Sequence, residues 1–125
     1  MVLYLFTDND KKKEIVTSLL LHANFISTQV VNENVSVCLK KLKFEKKEAF
    51  AHGKSLMDTF NVVNLYPSTI AAAFDLSVKY EFSYWDSLIV ATALENNCEI
   101  LLSEDMQDGL LVEGKLKIKN PFKEL

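Results

Sequence analysis

Apolar residues recur at two periods along this chain, and the switches between them outline its elements. Over residues 11–23, Ile15, Leu19 and His22 or Ala23 return at helical spacing after the turn-prone "TDND", which predicts a helix. "FISTQVV" opens as a short strand, and Ser27 and Thr28 then offer N-cap hydroxyls. The helix they start is expected to reach about Leu42, with Val31, Val35, Cys38, Leu39 and Leu42 on its main apolar face. A further helix covers about 45–60, and the alternation of "NVVNLY" predicts a strand. Pro67 suits the first turn of a helix running to about Tyr80. "FSYWDSLIVATALENN" predicts another helix, "CEILLS" a buried strand, and "KLKIKN", which alternates lysine with apolar residues, an edge strand. Strands separated by helices imply an α/β fold with a mainly parallel sheet, whose ligands bind at the carboxyl ends of the strands.

With 125 residues, three glycines, two prolines and no linker-like or repeated stretch, the chain reads as one domain spanning residues 1–125. No apolar run approaches the ~18 residues of a membrane span, so no membrane association is expected. "MVLYLFTDNDKKK" places its apolar run before its charges, the reverse of a signal peptide. Two cysteines, Cys38 and Cys98, make no disulfide framework and fit a reducing cytoplasm. The net charge of -3 does not advertise a nucleic-acid binder. All basic residues are lysines, so the bidentate fork that arginine brings to phosphate is missing, and the lysine clusters read first as solvated helix faces.

The chemistry therefore rests on acids. Asp86 stands at the head of an apolar helical stripe, three residues after Ser83. That spacing matches a capping box, in which an acid near the helix start is favoured by the macrodipole. A second reading follows from the face Asp86 shares with Ile89, Val90, Ala93 and Leu94: a charge drawn to the core boundary needs a cation or donors around it. Glu33, between Val30 and Val37, repeats the pattern, as a solvated helix-start acid or as a carboxylate leaving the edge of an apolar surface. Ser103, Glu104 and Asp105 follow the strand "EILL", where loop acids are common. In a parallel α/β sheet, Glu33, Asp86 and Asp105 can converge on one rim. Carboxylates sharing a cleft repel one another unless a divalent cation is present, and an oxygen-only set suits Mg2+ or Mn2+. His22 and His52 stand alone, Cys38 and Cys98 have no partnered base, and no glycine-rich phosphate loop occurs. The aromatic group Tyr80, Phe82, Tyr84 and Trp85 could stack on bases, but packing around a helix start accounts for it more simply.

The ordered set "ISTQVVNENV", "FSYWDSLIVATALENNCEILLSEDMQDG" and "LKIKNPF" resembles the PIN-domain family, in particular the VapC-type toxin ribonucleases of toxin–antitoxin pairs. The resemblance implies a three-layer α/β/α domain with a mainly parallel sheet. It also implies an acidic cluster that binds Mg2+ or Mn2+ and hydrolyses RNA phosphodiesters, a homodimer, and a cognate antitoxin partner. Matched position by position, Glu33 in "NEN", Asp86 in "YWD" and Asp105 in "SED" fall on the second, third and fourth family acids. Ser103 falls on the supporting hydroxyl and Glu104 on a neighbouring acid without a fixed role. The family's first acid stands in an Asp-x-Asn that precedes an apolar stretch like "VLYLF", so the first strand and its aspartate are expected to be missing ahead of Met1, at a cost to metal binding and turnover. Two rival readings stand beside the nuclease: a catalytically inactive PIN-like module that dimerises and binds an antitoxin, and an unrelated magnesium-dependent α/β phosphohydrolase or receiver-like domain.

Overall fold

The structure, a computed structural model, describes residues 25–103 and 106–120. The helix expected over 11–23 lies outside these residues. Strand β1 (Phe25–Ser27) runs directly into helix α1 (Thr28–Lys40). Ser27 is extended, and its Oγ accepts from the Val30 amide at 3.2 Å, which satisfies one of the donors a helix start leaves open.

The face that α1 buries differs from the expected one. Val30, Val31, Asn34 and Cys38 are buried, whereas Val35, Leu39 and Leu42 are only half-buried. Asn34 is tolerated inside because its Nδ2 donates to the Val30 carbonyl at 2.8 Å. Helix α2 (Lys46–Thr59) packs on α1 with Gly53 against Val35; a Cβ at Gly53 would stand 2.8 Å from Val35 Cγ2. Strand β2 (Asn61–Val63) then pairs in parallel with β1, Ile26 opposite Val62. The strand expected over "NVVNLY" thus ends at Val63, as the chain prepares the start of helix α3 (Pro67–Tyr80). There Pro67 occupies the first turn and the Tyr66 amide donates to Thr69 Oγ1 at 3.0 Å. Helix α3 stops at Glu81, whose φ of 59° is left-handed.

Helix α4 (Tyr84–Glu95) is the interior element, with every residue from 87 to 93 buried. It lies against α3, and Glu95 closes the pair by accepting from Thr69 Oγ1 at 2.6 Å and Ser68 Oγ at 3.2 Å. Strands β3 (Ile100–Leu102), β4 (Leu111–Val112) and β5 (Leu116–Lys119) form a second ladder in the order β3-β5-β4. β3 and β5 are parallel, with Leu101 opposite Ile118; β4 and β5 are antiparallel, with Val112 opposite Leu116.

Two corrections follow. "KLKIKN" is the centre of its ladder rather than an edge, and the sheet carries an antiparallel strand that the sequence pattern left out. The β4–β5 turn explains the omission. Glu113 and Gly114 both have positive φ, 53° and 66°, within the three-residue turn 113–115 that brings Leu116 back opposite Val112, but Glu is not a residue that announces such a turn. The alternation of β5 is as expected, Leu116 and Ile118 inside and Lys117 and Lys119 outside. Fully burying side chains such as Leu101, Leu116 and Ile118 stabilises the fold by about 1.5–3 kcal/mol each. The apolar interior falls into two clusters, one of Ile26, Val30, Val31, Leu56 and Phe60, the other built by α3, α4 and the β3-β5-β4 ladder. Among the described residues no helix is long and apolar enough to cross a membrane.

Candidate functional site

Asp86 sits in the first turn of α4 and is half-buried. The helix starts there because Ser83 caps it, its Oγ accepting from the Asp86 amide at 3.1 Å. The cap reading of this motif is therefore correct as far as the serine goes. Glu33 lies on α1, also half-buried, one turn beyond Gln29.

Gln29 joins the two. Its Nε2 donates to Glu33 Oε1 at 3.0 Å and to the Trp85 carbonyl at 3.2 Å. Both partners accept, so the orientation of the amide is fixed by its surroundings. Two helix starts 56 residues apart are thereby pinned together, and the Glu33 carboxylate is held to the backbone immediately before Asp86. The other end of the same amide, Gln29 Oε1, is buried and has no hydrogen-bond partner among the described residues. A buried acceptor left open costs of order 1–3 kcal/mol.

The third expected group is described in part. Ser103 ends β3, is buried, and donates its amide to the Lys119 carbonyl at 2.9 Å, so the central strand β5 fixes it. Its Oγ accepts from the Met106 amide at 3.3 Å. Glu104 and Asp105 themselves lie outside the described residues, as does the segment before Phe25. Among the described residues there is no group of three or more His, Cys, Asp or Glu that could hold a metal. What the described part brings together is Glu33 and the head of α4 that carries Asp86. The donor chemistry fits a hard dication: carboxylate oxygens, with a buried carboxamide oxygen beside them awaiting a donor.

Sequence reasoning missed Gln29. A helix-start glutamine carries no motif, and only the crossing of α1 past the start of α4 gives it a role. Reasoning from sequence also erred on two aromatic residues. Tyr80 and Phe82 are half-buried and stacked at 5.5 Å, as packing requires. Trp85, however, is 63% exposed, and Tyr84 is exposed beside it, in a row Phe74–Tyr84–Trp85 with centroids 5.8 and 5.5 Å apart. The remaining candidates behave as structural groups. Burial pushes the Cys38 and Cys98 thiols above their ordinary pKa, and it pulls His52 below its own. The lysines at 40, 41, 43, 46 and 47 are all exposed.

Comparison with known proteins decides between the fold families that could carry such a site. The family model of the PIN domain matches residues 1–107. The chain belongs to the PIN domain family. Its mixed α/β architecture, helices around parallel strands, is that of a PIN-like α/β/α fold, as the sequence led us to expect. The fold of this PIN domain is also similar to a solved structure described as a toxin-antitoxin complex from Klebsiella pneumoniae. The two share 23% identity over 87% of this chain and 85% of that chain, with a TM-score of 0.64. No curated protein matches the chain.

Proposed function

We propose that this PIN domain is a metal-dependent ribonuclease and the toxin of a toxin–antitoxin pair. The observation that carries the reading is the Gln29 bridge, which draws Glu33 on α1 to the head of α4 beside Asp86, two of the three acids expected to act together. In this reading Glu33, Asp86 and Asp105 hold Mg2+ or Mn2+, with Ser103 and Glu104 in support. Such a cation supplies charge neutralisation at the phosphate and a more acidic water. The chain's own contribution is to hold Glu33 on α1 against the start of α4, where Asp86 stands. Glu33 is a ligand or the group that orients the attacking water. The nuclease reading is favoured over the unrelated phosphohydrolase by the family match.

An antitoxin is the proposed protein partner, and a second copy of the chain the proposed dimer partner. Two observations support an apolar partner: the similar fold occurs in a toxin-antitoxin complex, and Ile70, Phe74 and Val78 on α3 are exposed next to Tyr84 and Trp85. The two free thiols, both raised in pKa by burial, are consistent with work in the cytoplasm. The same apolar surface keeps a second reading in play, a PIN module that binds without cutting.

Mg2+- or Mn2+-dependent cleavage of an RNA panel tests the proposal. It is measured on the 125-residue chain and on a version carrying a strand that ends in Asp-x-Asn ahead of Met1. The expected result is metal-dependent cleavage that Asp86→Asn reduces by a hundredfold or more, on the order of 3 kcal/mol of transition-state stabilisation. Cleavage by neither version, with an antitoxin still bound, assigns the binding module instead.

A further inference from the structure

We infer that Gln29 is a positioning residue of the carboxylate site. Its Nε2 fixes Glu33 against the start of α4, and its buried Oε1 is the acceptor for water carried in with the divalent cation. The inference rests on the proposed function and goes beyond it, because no acid motif includes Gln29.

The two halves of the amide give the argument. Nε2 has two acceptors, the Glu33 carboxylate at 3.0 Å and the Trp85 carbonyl at 3.2 Å, and so spends both of its hydrogens. Glu33 is one helical turn further along α1, a spacing at which the two side chains meet naturally. The Trp85 contact comes from another element and is the part that local sequence does not dictate. It makes the rotamer of Glu33 depend on where α4 begins, and α4 begins where Ser83 caps it. Oε1, one amide width from Nε2, is buried without a partner among the described residues. A purely structural glutamine at this place would be expected to use its acceptor, since an open buried carbonyl costs free energy. A group that must accept a hydrogen bond only when the site is loaded is left open in its absence. Partners of this kind, which orient the ligands of a metal, typically change metal affinity 10- to 100-fold when removed.

The experiment measures Mn2+ binding calorimetrically on the full 125-residue chain, wild type, Gln29→Met, Glu33→Gln and the double variant, with Asp86→Asn as reference. Gln29→Met conserves volume and removes both the donors and the acceptor. The expected result is 10- to 100-fold weaker Mn2+ binding by Gln29→Met, while its urea midpoint without metal stays close to wild type. Because Gln29 acts largely through Glu33, the same change made in Glu33→Gln is expected to cost less than it does in wild type. A Gln29→Met chain that binds Mn2+ within twofold of wild type, while Asp86→Asn loses binding, overturns the positioning role and leaves the nuclease reading standing. Additive effects of Gln29→Met and Glu33→Gln also overturn it. A wild-type chain that binds no Mn2+ overturns the positioning role as well, and the nuclease reading is then decided by the cleavage assay.

Discussion

Single residues set two properties of this domain that measurement can reach directly. Gly53 is required by contact rather than by backbone shape: a methyl there meets Val35 at 2.8 Å, and a β-branched valine has little rotamer freedom with which to give way. Overpacking of this kind costs about 1–3 kcal/mol, and the gain in helix propensity from Gly to Ala returns about 1 kcal/mol. Gly53→Ala is thus expected to lose about 1 kcal/mol, read as a lower urea midpoint with an unchanged slope. His52 contributes to pH dependence. Burial lowers its pKa in the fold, so the folded state prefers the neutral ring. Its contribution is fully present above the unfolded value of about 6.5 and is lost as pH falls through the lower folded value. The melting temperature of wild type should fall more steeply than that of His52→Gln as pH drops from 7 towards 5. At this scale the sequence spoke clearly about caps. Ser27 and Ser83 cap as their positions suggested, and Asp86 stands in the first turn of α4. It was silent about Gln29, whose role depends on a contact 56 residues away.

Among elements, helices were the more legible. Periods of 3.6 repeat three or four times within 13 or 14 residues, so α1, α2 and α3 announced themselves almost to their ends. A strand of two to four residues offers one or two alternations at most, and its neighbours in the ladder are set by distant chain. This is why β5 was read correctly as a strand and wrongly as an edge. Lysine outside and leucine or isoleucine inside describe one exposed face, which a central strand can have as well. The distinction has a measurable consequence. Ile118, fully buried in the central strand, should cost about 2–5 kcal/mol on truncation to alanine, whereas Leu111, 54% exposed in β4, should cost within about 1 kcal/mol. Urea unfolding of Ile118→Ala and Leu111→Ala compares them; equal losses would contradict the central placement of β5.

For the whole molecule, the exposed row of Phe74, Tyr84 and Trp85 together with Ile70 and Val78 is the surface on which the proposed association is tested. Trp85 is the only tryptophan in the chain, so intrinsic fluorescence reports on this surface alone. The dilute chain should emit near the wavelength of water-exposed indole, and the emission should shift to the blue when a second copy or an antitoxin covers the row. Val78, 84% exposed, allows a clean control: Val78→Glu should leave the melting temperature within the range of a neutral surface change and weaken that association, seen by sedimentation. The same scale sets the order in which the domain can be made. Every described ladder bond of β3 and of β4 is to β5, which follows both of them along the chain. During translation those two strands must wait, unpaired by their described neighbour, until Leu116–Lys119 has left the ribosome. Ser103, whose backbone amide donates to the Lys119 carbonyl, is fixed at the same late moment, so the nascent protein gains the Ser103 end of the proposed acidic rim among the last things it folds.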